Sequence, residues 1–281
     1  MKKLFLVMAL LAIGSAAHAA MVAEWSFEQN LNDTATGGTV ADTLVGMKTY
    51  PGDGSYGTAA NWQDPEYVSG GISGYAVRIG EGTPGVPPTV GAMCLTTTGD
   101  SADLSSDQFT IEGYFKADSI DHPYTRLLTK WVSGFNQSFH FAIHSGALEI
   151  IEKNSSNSAV TVTDDQTLAD LGVGYDQWFH VAATGDGSTL TLWLNGVAVA
   201  TGSYNGTMQN STDPFYIGGR TDITVEPVAT RNNAFYGLVD EVRIWDEAKD
   251  AAYFAERTAA IPEPATLVLL AIGGLGLVKR K

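Results

Sequence analysis

One cysteine in 281 residues leaves no internal disulfide and no paired-cysteine metal motif open to this chain. That residue, Cys94, lies in the apolar triplet Met93-Cys94-Leu95 and reads as a small buried hydrophobe. Bases are scarce: 16 Lys and Arg stand against 31 Asp and Glu, for a formal net charge of −15. A surface this acidic repels nucleic acid and anionic lipid and suits cations or neutral partners, although it serves equally well as a solubility device. No apolar run reaches the ~20 residues that a full membrane span needs. No fixed-period repeat is present, which excludes a solenoid or propeller. A Ser-His-Asp order and a Gly-rich phosphate loop are also missing.

The two ends read as addresses. Lys2 and Lys3 precede an apolar run over residues 4–13, and Ala17-His18-Ala19 offers a small-residue cleavage site, so residues 1–19 are read as a secretory signal peptide handled by Sec and signal peptidase. Without Lys2, Lys3, Lys279, Arg280 and Lys281 the sixteen bases become eleven, and without Glu263 the thirty-one acids become thirty; the exported middle then carries −19.

Between the ends, 31 Gly with many Thr, Ser, Asn and Asp favour strands and turns. The strongest local signal spans residues 177–202. Leu190, Leu192 and Leu194 alternate with Thr189, Thr191 and Trp193, Asp186-Gly187 marks one turn, and Asn195-Gly196 supplies a type I′ hairpin. This three-stranded meander is expected at the centre of the fold. Further strands are expected at 22–28, 75–79, 92–97, 109–116, 125–131, 138–144, 148–151, 159–163, 215–218 and 235–245. Residues 29–74 read as a long loop region, either functional or mobile. Only residues 246–257 read helical, with Asp246 as N-cap. The fold class that follows is all-β: a two-sheet antiparallel sandwich or jelly roll with one short C-terminal helix.

Several of these segments stand in a familiar order. Phe109-Thr110-Ile111-Glu112-Gly113-Tyr114-Phe115-Lys116, Leu128-Thr129-Lys130-Trp131, Trp178-Phe179-His180-Val181-Ala182, Leu192-Trp193-Leu194-Asn195-Gly196, Tyr216-Ile217-Gly218-Gly219 and the closing strand 235–245 resemble the strands of laminin-G-like jelly rolls of the concanavalin A-like lectin/glucanase type. The resemblance covers residues 21–257 and implies two curved sheets with a concave face that in relatives often binds glycans. A second resemblance covers the C-terminus. Pro262-Glu263-Pro264, an apolar run over 265–278 and the basic tail Lys279-Arg280-Lys281 are similar to a PEP-CTERM sorting signal, with 258–264 as linker. It implies a Gram-negative bacterium, transient anchoring in the inner membrane, cleavage by an exosortase near Pro262 to Pro264, and delivery to the surface or matrix. The 14-residue run would span about 21 Å as a helix, short against a ~30 Å hydrocarbon layer. Two prolines before it keep the peptide extended, and the bases act as a cytoplasmic stop.

Glycanases share this fold, so catalysis needs a test. A retaining glycosidase places two carboxylates roughly 5 Å apart, which on one strand means positions i and i+2. The acidic pair with that spacing is Asp64 and Glu66, which flank Pro65 in the loop region, while Glu149 and Glu152 would point to opposite faces. The expectation is a non-catalytic protein that binds glycans or scaffolds exopolysaccharide, with a purely structural matrix role as the alternative. His140 and His144 alternate with Phe139, Phe141 and Ile143, which puts them about 13 Å apart on a strand, too far for one zinc ion. His180 reads as a core or cross-strand partner. The resemblance further implies one structural calcium ion at Asp240, with Glu28 or Asp42 as partners; Asp240 could instead cap a bulge or pair with Arg243. Trp62, Trp178 and Trp193 are the candidate sugar platforms, since sugars present apolar C–H faces to aromatic rings.

Overall fold

The computed structural model describes residues 20–35, 43–47, 64–80, 94–98, 107–118, 124–131, 137–204, 206–219 and 234–261. In chain order the strands among them are β1 (Met21–Trp25), β2 (Leu44–Met47), β3 (Glu66–Ser69), β4 (Tyr75–Ile79), β5 (Cys94–Thr97), β6 (Gln108–Ala117), β7 (Tyr124–Trp131), β8 (Gln137–His144), β9 (Ala147–Lys153), β10 (Ala159–Thr163), β11 (Trp178–Asp186), β12 (Thr189–Leu194), β13 (Val197–Ser203), β14 (Tyr216–Ile217) and β15 (Gly237–Trp245). They are followed by one helix, α1 (Ala251–Thr258). The strands form two antiparallel sheets. The eight-stranded sheet runs β13-β12-β11-β6-β15-β4-β3 with β1 added to β15, and the seven-stranded sheet runs β10-β9-β8-β7-β14-β5-β2.

Alternation builds the core. Phe109, Ile111 and Phe115 of β6 face Phe139, Phe141 and Ile143 of β8 across the sandwich, all fully buried. Burial of each such side chain contributes about 1.5–3 kcal/mol. Trp25 stacks on Phe215 with ring centroids 5.2 Å apart, and Phe115 meets Phe235 edge-on at 5.2 Å. One core-facing residue breaks the pattern: Glu152 is fully buried, and neither carboxylate oxygen has a hydrogen-bond partner among the described residues. Burial pushes its acid up to about 8.

The 177–202 meander forms as the sequence implies, as β11, β12 and β13. Asn195 and Gly196 take φ of 48° and 80°, the two positive angles a type I′ turn requires. Its place is different from the one expected. It lies at one edge of its sheet, and β6 and β15 occupy the middle. Turn chemistry specifies a hairpin locally, but the centre of a sheet is decided by pairing between strands distant in the chain. Residues 29–74 are likewise more than loop, since β2 and β3 lie there and pair with β5 and β4. The first strand ends at Trp25, where the chain turns through positive φ at Phe27 and Gln29.

Helix α1 starts four residues later than its sequence suggests. Asp250, not Asp246, is the N-cap, and its carboxylate accepts the N–H of Tyr253 at 3.0 Å. Residues 246–249 cannot join the helix because Thr110 pins them: its hydroxyl donates to the Glu247 carbonyl at 2.7 Å and accepts the Lys249 N–H at 2.8 Å.

Candidate functional site

Part of the outer face of the eight-stranded sheet, around Glu112 and His180, is covered by α1. Glu112 points outward from β6 and is fully buried beneath the helix. Its carboxylate accepts from His180 Nε2 at 2.7 Å, Arg257 Nε at 3.2 Å, Trp245 Nε1 at 3.3 Å and the Tyr253 hydroxyl. Burial alone would raise its pKa; the His180 hydrogen bond, the Arg257 charge and the Tyr253 hydroxyl outweigh burial and hold it at about 2. Burial pushes His180 the other way, toward the neutral ring, so Nε2–H donates to the carboxylate and Nδ1 has no partner among the described residues. The Tyr114 hydroxyl donates to the Arg257 carbonyl at 2.6 Å and fastens the end of the helix. His180 is therefore the cross-strand partner expected, with its ring 4.7 Å from Tyr114. Trp193 belongs to the same seal. Its ring lies 4.7 Å from Phe254, and its indole N–H donates to Thr184 at 3.0 Å. One of the candidate sugar platforms, Trp193, thus lies against the helix.

The outer face of the seven-stranded sheet is different. Register brings Tyr124 opposite His144, Thr129 opposite His140, and Glu149 opposite Thr163. Tyr124 lies between the two histidines at 5.1 and 4.9 Å, and Trp131 meets His140 at 6.2 Å. The histidines thus sit on one strand face, as their spacing implies, in a row of four rings. Glu149 anchors one end, accepting from the Tyr124 hydroxyl at 3.1 Å and the Thr163 hydroxyl at 3.1 Å, with His144 Nδ1 at 3.0 Å. At the other end Lys153 stands 5.2 Å over the Trp131 ring and donates to Asn157 at 2.9 Å. Tyr124, Trp131, Ile151 and Lys153 are half-buried, and Thr161 and Thr163 are exposed. The His144 side chain is 46% exposed against 8% for Glu149, so the carboxylate forms the floor and the imidazole the rim. The buried Thr129 hydroxyl beneath the row makes no hydrogen bond among the described residues. Rings of this kind stack against sugar C–H faces, and Glu149, Thr163 and Lys153 can meet hydroxyls beside them. Glu152, three positions from Glu149, turns into the core, as the strand period requires, and gives this face no second carboxylate.

Asp240 occupies a branch point. β15 pairs with β4 up to Val239 and with β1 from Val242, and between them Glu241 takes φ of 50° in a bulge. Asp240 Oδ2 accepts the N–H groups of Ile72 at 2.6 Å and Ser73 at 3.3 Å, and Oδ1 that of Glu241 at 2.8 Å. Burial raises its pKa to about 7 against these N–H groups, which lower it. Glu28 holds the other side of the same turn, accepting from Tyr75 N–H at 3.3 Å. The turn passes so close to both acids that a Cβ on Gly71 would lie 2.5 Å from Asp240, and one on Gly74 2.5 Å from Glu28. The two carboxylates reach one turn, and the oxygens named here receive N–H donors. Arg243 pairs instead with Glu24 and Glu241. Carboxylate oxygens are the right chemistry for calcium, but no group of three or more acidic, His or Cys side chains converges among the described residues, and these two alone do not make a cage. Asp42 and Trp62 lie outside the described residues, as do Pro262, Glu263, Pro264, Lys279, Arg280 and Lys281. No described helix is long and apolar enough to cross a membrane.

Comparison with known proteins agrees with this architecture. The family model of the concanavalin A-like lectin/glucanases superfamily, laminin G type, matches residues 94–253, more than half the chain. The chain belongs to that superfamily. Residues 260–281 match the PEP-CTERM protein-sorting motif. Comparison with curated proteins gives no match. Among solved structures, domain 4 of AbnA, a GH43 extracellular arabinanase from Geobacillus stearothermophilus in complex with arabinotriose, superposes with TM-score 0.56 at 19% identity, over 85% of this chain and 98% of that one. The binding domain of Paraclostridial Mosquitocidal Protein 1 gives 0.56 at 15% identity, over 85% of this chain and 52% of that one. The binding domain of Botulinum Neurotoxin DC in complex with SialylT gives 0.57 at 11% identity, over 86% and 51%. The chain spans about half the length of these toxin domains, and identities this low show the fold alone.

Proposed function

We propose that this is a non-catalytic protein of the cell surface or extracellular matrix that binds glycan on the outer face of its seven-stranded sheet. The observation that carries this reading is the row of Trp131, His140, Tyr124 and His144 over Glu149, half-open on one face, while α1 covers part of the opposite face. The sorting motif supports export, a membrane-held stage and exosortase cleavage near Pro262 to Pro264. Among the described residues Glu149 is the carboxylate beside the rings, and Glu152 turns inward, which supports binding over hydrolysis. The sugar complexes of two neighbours of this fold are consistent with a glycan ligand.

The test is a glycan array with the exported protein and its Trp131→Ala variant. Binding lost in the variant supports the reading; a blank array points to a purely structural matrix protein, and released reducing ends would point to a glycanase. A parallel run with calcium chelator examines the ion implied at Asp240 and Glu28. Loss of binding or of thermal stability on chelation supports it, and unchanged behaviour removes it.

A further inference from the structure

We infer that the N-terminus created by signal-peptide removal is a working part of the fold, held by Asp246. The backbone nitrogen of Ala20 donates to Asp246 Oδ1 at 2.7 Å, and the Asp246 N–H returns a bond to the Ala20 carbonyl at 3.1 Å. This two-bond clasp extends the pairing of β1 with β15, in which Met21 faces Trp245. Ala20 directly follows Ala17-His18-Ala19, the cleavage signal read from the sequence. Hydrolysis of the Ala19–Ala20 bond by signal peptidase adds one water, leaving a carboxylate on Ala19 and an amine on Ala20 that takes up a proton. The donor facing Asp246 then changes from a neutral amide to an ammonium, and the hydrogen bond becomes charge-assisted. Glu247 and Lys249, the other charged side chains of the segment, are bonded to each other. Arg243, on the neighbouring stretch of β15, is taken by Glu24 and Glu241. The Asp246 carboxylate thus meets the new terminus with neighbouring charges already paired. This also explains why Asp246 does not cap α1.

The inference rests on export, not on glycan binding, so it stands or falls separately from the ligand reading. Two measurements test it. Intact-mass analysis of exported protein is expected to place the first residue at Ala20. Four recombinant proteins then form a double-mutant cycle: a chain released from a cleavable fusion so that it starts at Ala20, the same chain with one Gly added in front, and both with Asp246→Asn. The added Gly keeps an amide N–H on Ala20 and moves the ammonium about 3.8 Å along the chain. It is expected to lower Tm by about 1–3 °C in the Asp246 background, as fits one exposed ion pair in a domain this size. The loss is expected to vanish in Asp246→Asn and in 1 M salt. A first residue other than Ala20, or a Gly penalty that is absent or equal in both backgrounds, overturns the inference.

Discussion

The two outer faces of this sandwich are built on the same alternation and put to opposite use. On the eight-stranded sheet, Glu112, Tyr114, His180 and Trp193 point outward toward α1, where the Glu112 carboxylate, the Tyr114 hydroxyl and the Trp193 indole N–H find partners and Phe254 is fully buried. On the seven-stranded sheet, Tyr124, Trp131 and His144 point outward and stay partly in solvent. Two carboxylates sharpen the contrast. Glu112 is buried with four donors and stays ionised, at about 2. Glu152, buried on the core side with none, is pushed to about 8. Burial is common to both; the hydrogen bonds and the Arg257 charge beside Glu112 make the difference.

The largest expected effect breaks the seal. Phe254→Ala should cost about 3–5 kcal/mol and lower Tm by about 10 °C, read by thermal unfolding, because a fully buried ring is lost from the helix–sheet contact. A Tm within error of the parent would show that α1 is dispensable. The next concerns Glu152. Its acid is about 8 in the fold and near 4.5 unfolded, so below that lower value its contribution is fully present. As pH rises, the unfolded chain ionises first and stability falls, with nothing further to lose above about 8. Urea unfolding should therefore show Glu152→Gln to be more stable than the parent at pH 8, by a few kcal/mol at most, with the difference shrinking toward pH 5. An equal difference at both pH values would contradict the neutral acid. Trp131→Ala comes third: glycan affinity should drop about tenfold, or 1.4 kcal/mol, while Tm moves by only about 2–3 °C. Smallest is His144→Gln at the exposed rim, for which Tm should stay within about 1–2 °C in a calorimeter. A large loss there would mean that the open face holds the fold as firmly as the sealed one.

What could be read from the chain beforehand divides along the same line. Alternation and turn residues carried the two-sheet class, the meander strands and the strand placement of His140 and His144, since each depends on neighbours a few residues apart. The hub at Glu112 was invisible because its donors come from residues 180, 245, 253 and 257, brought together only by the pairing of β6 with β11 and β15 and the docking of α1. The ring row was half legible. Two outward histidines on β8 are evident from the period, but register against β7 was needed to set Tyr124 and Trp131 beside them. Trp193 is half legible in the same way: alternation shows that it points away from the core, and only the docked helix sets Phe254 beside it. β2 and β3 escaped notice because four-residue strands carry too few alternations to stand out among Gly, Asp and Thr.

β15 has hydrogen-bonded neighbours β1, β4 and β6, and among the described strands it is the last to leave the ribosome. Until it arrives, the first strand has no partner and the eight-stranded sheet has a gap at its middle. Long-range closure of this kind is slow relative to local hairpin formation. A nascent chain held open in this way stays threadable, which would suit the export proposed for it.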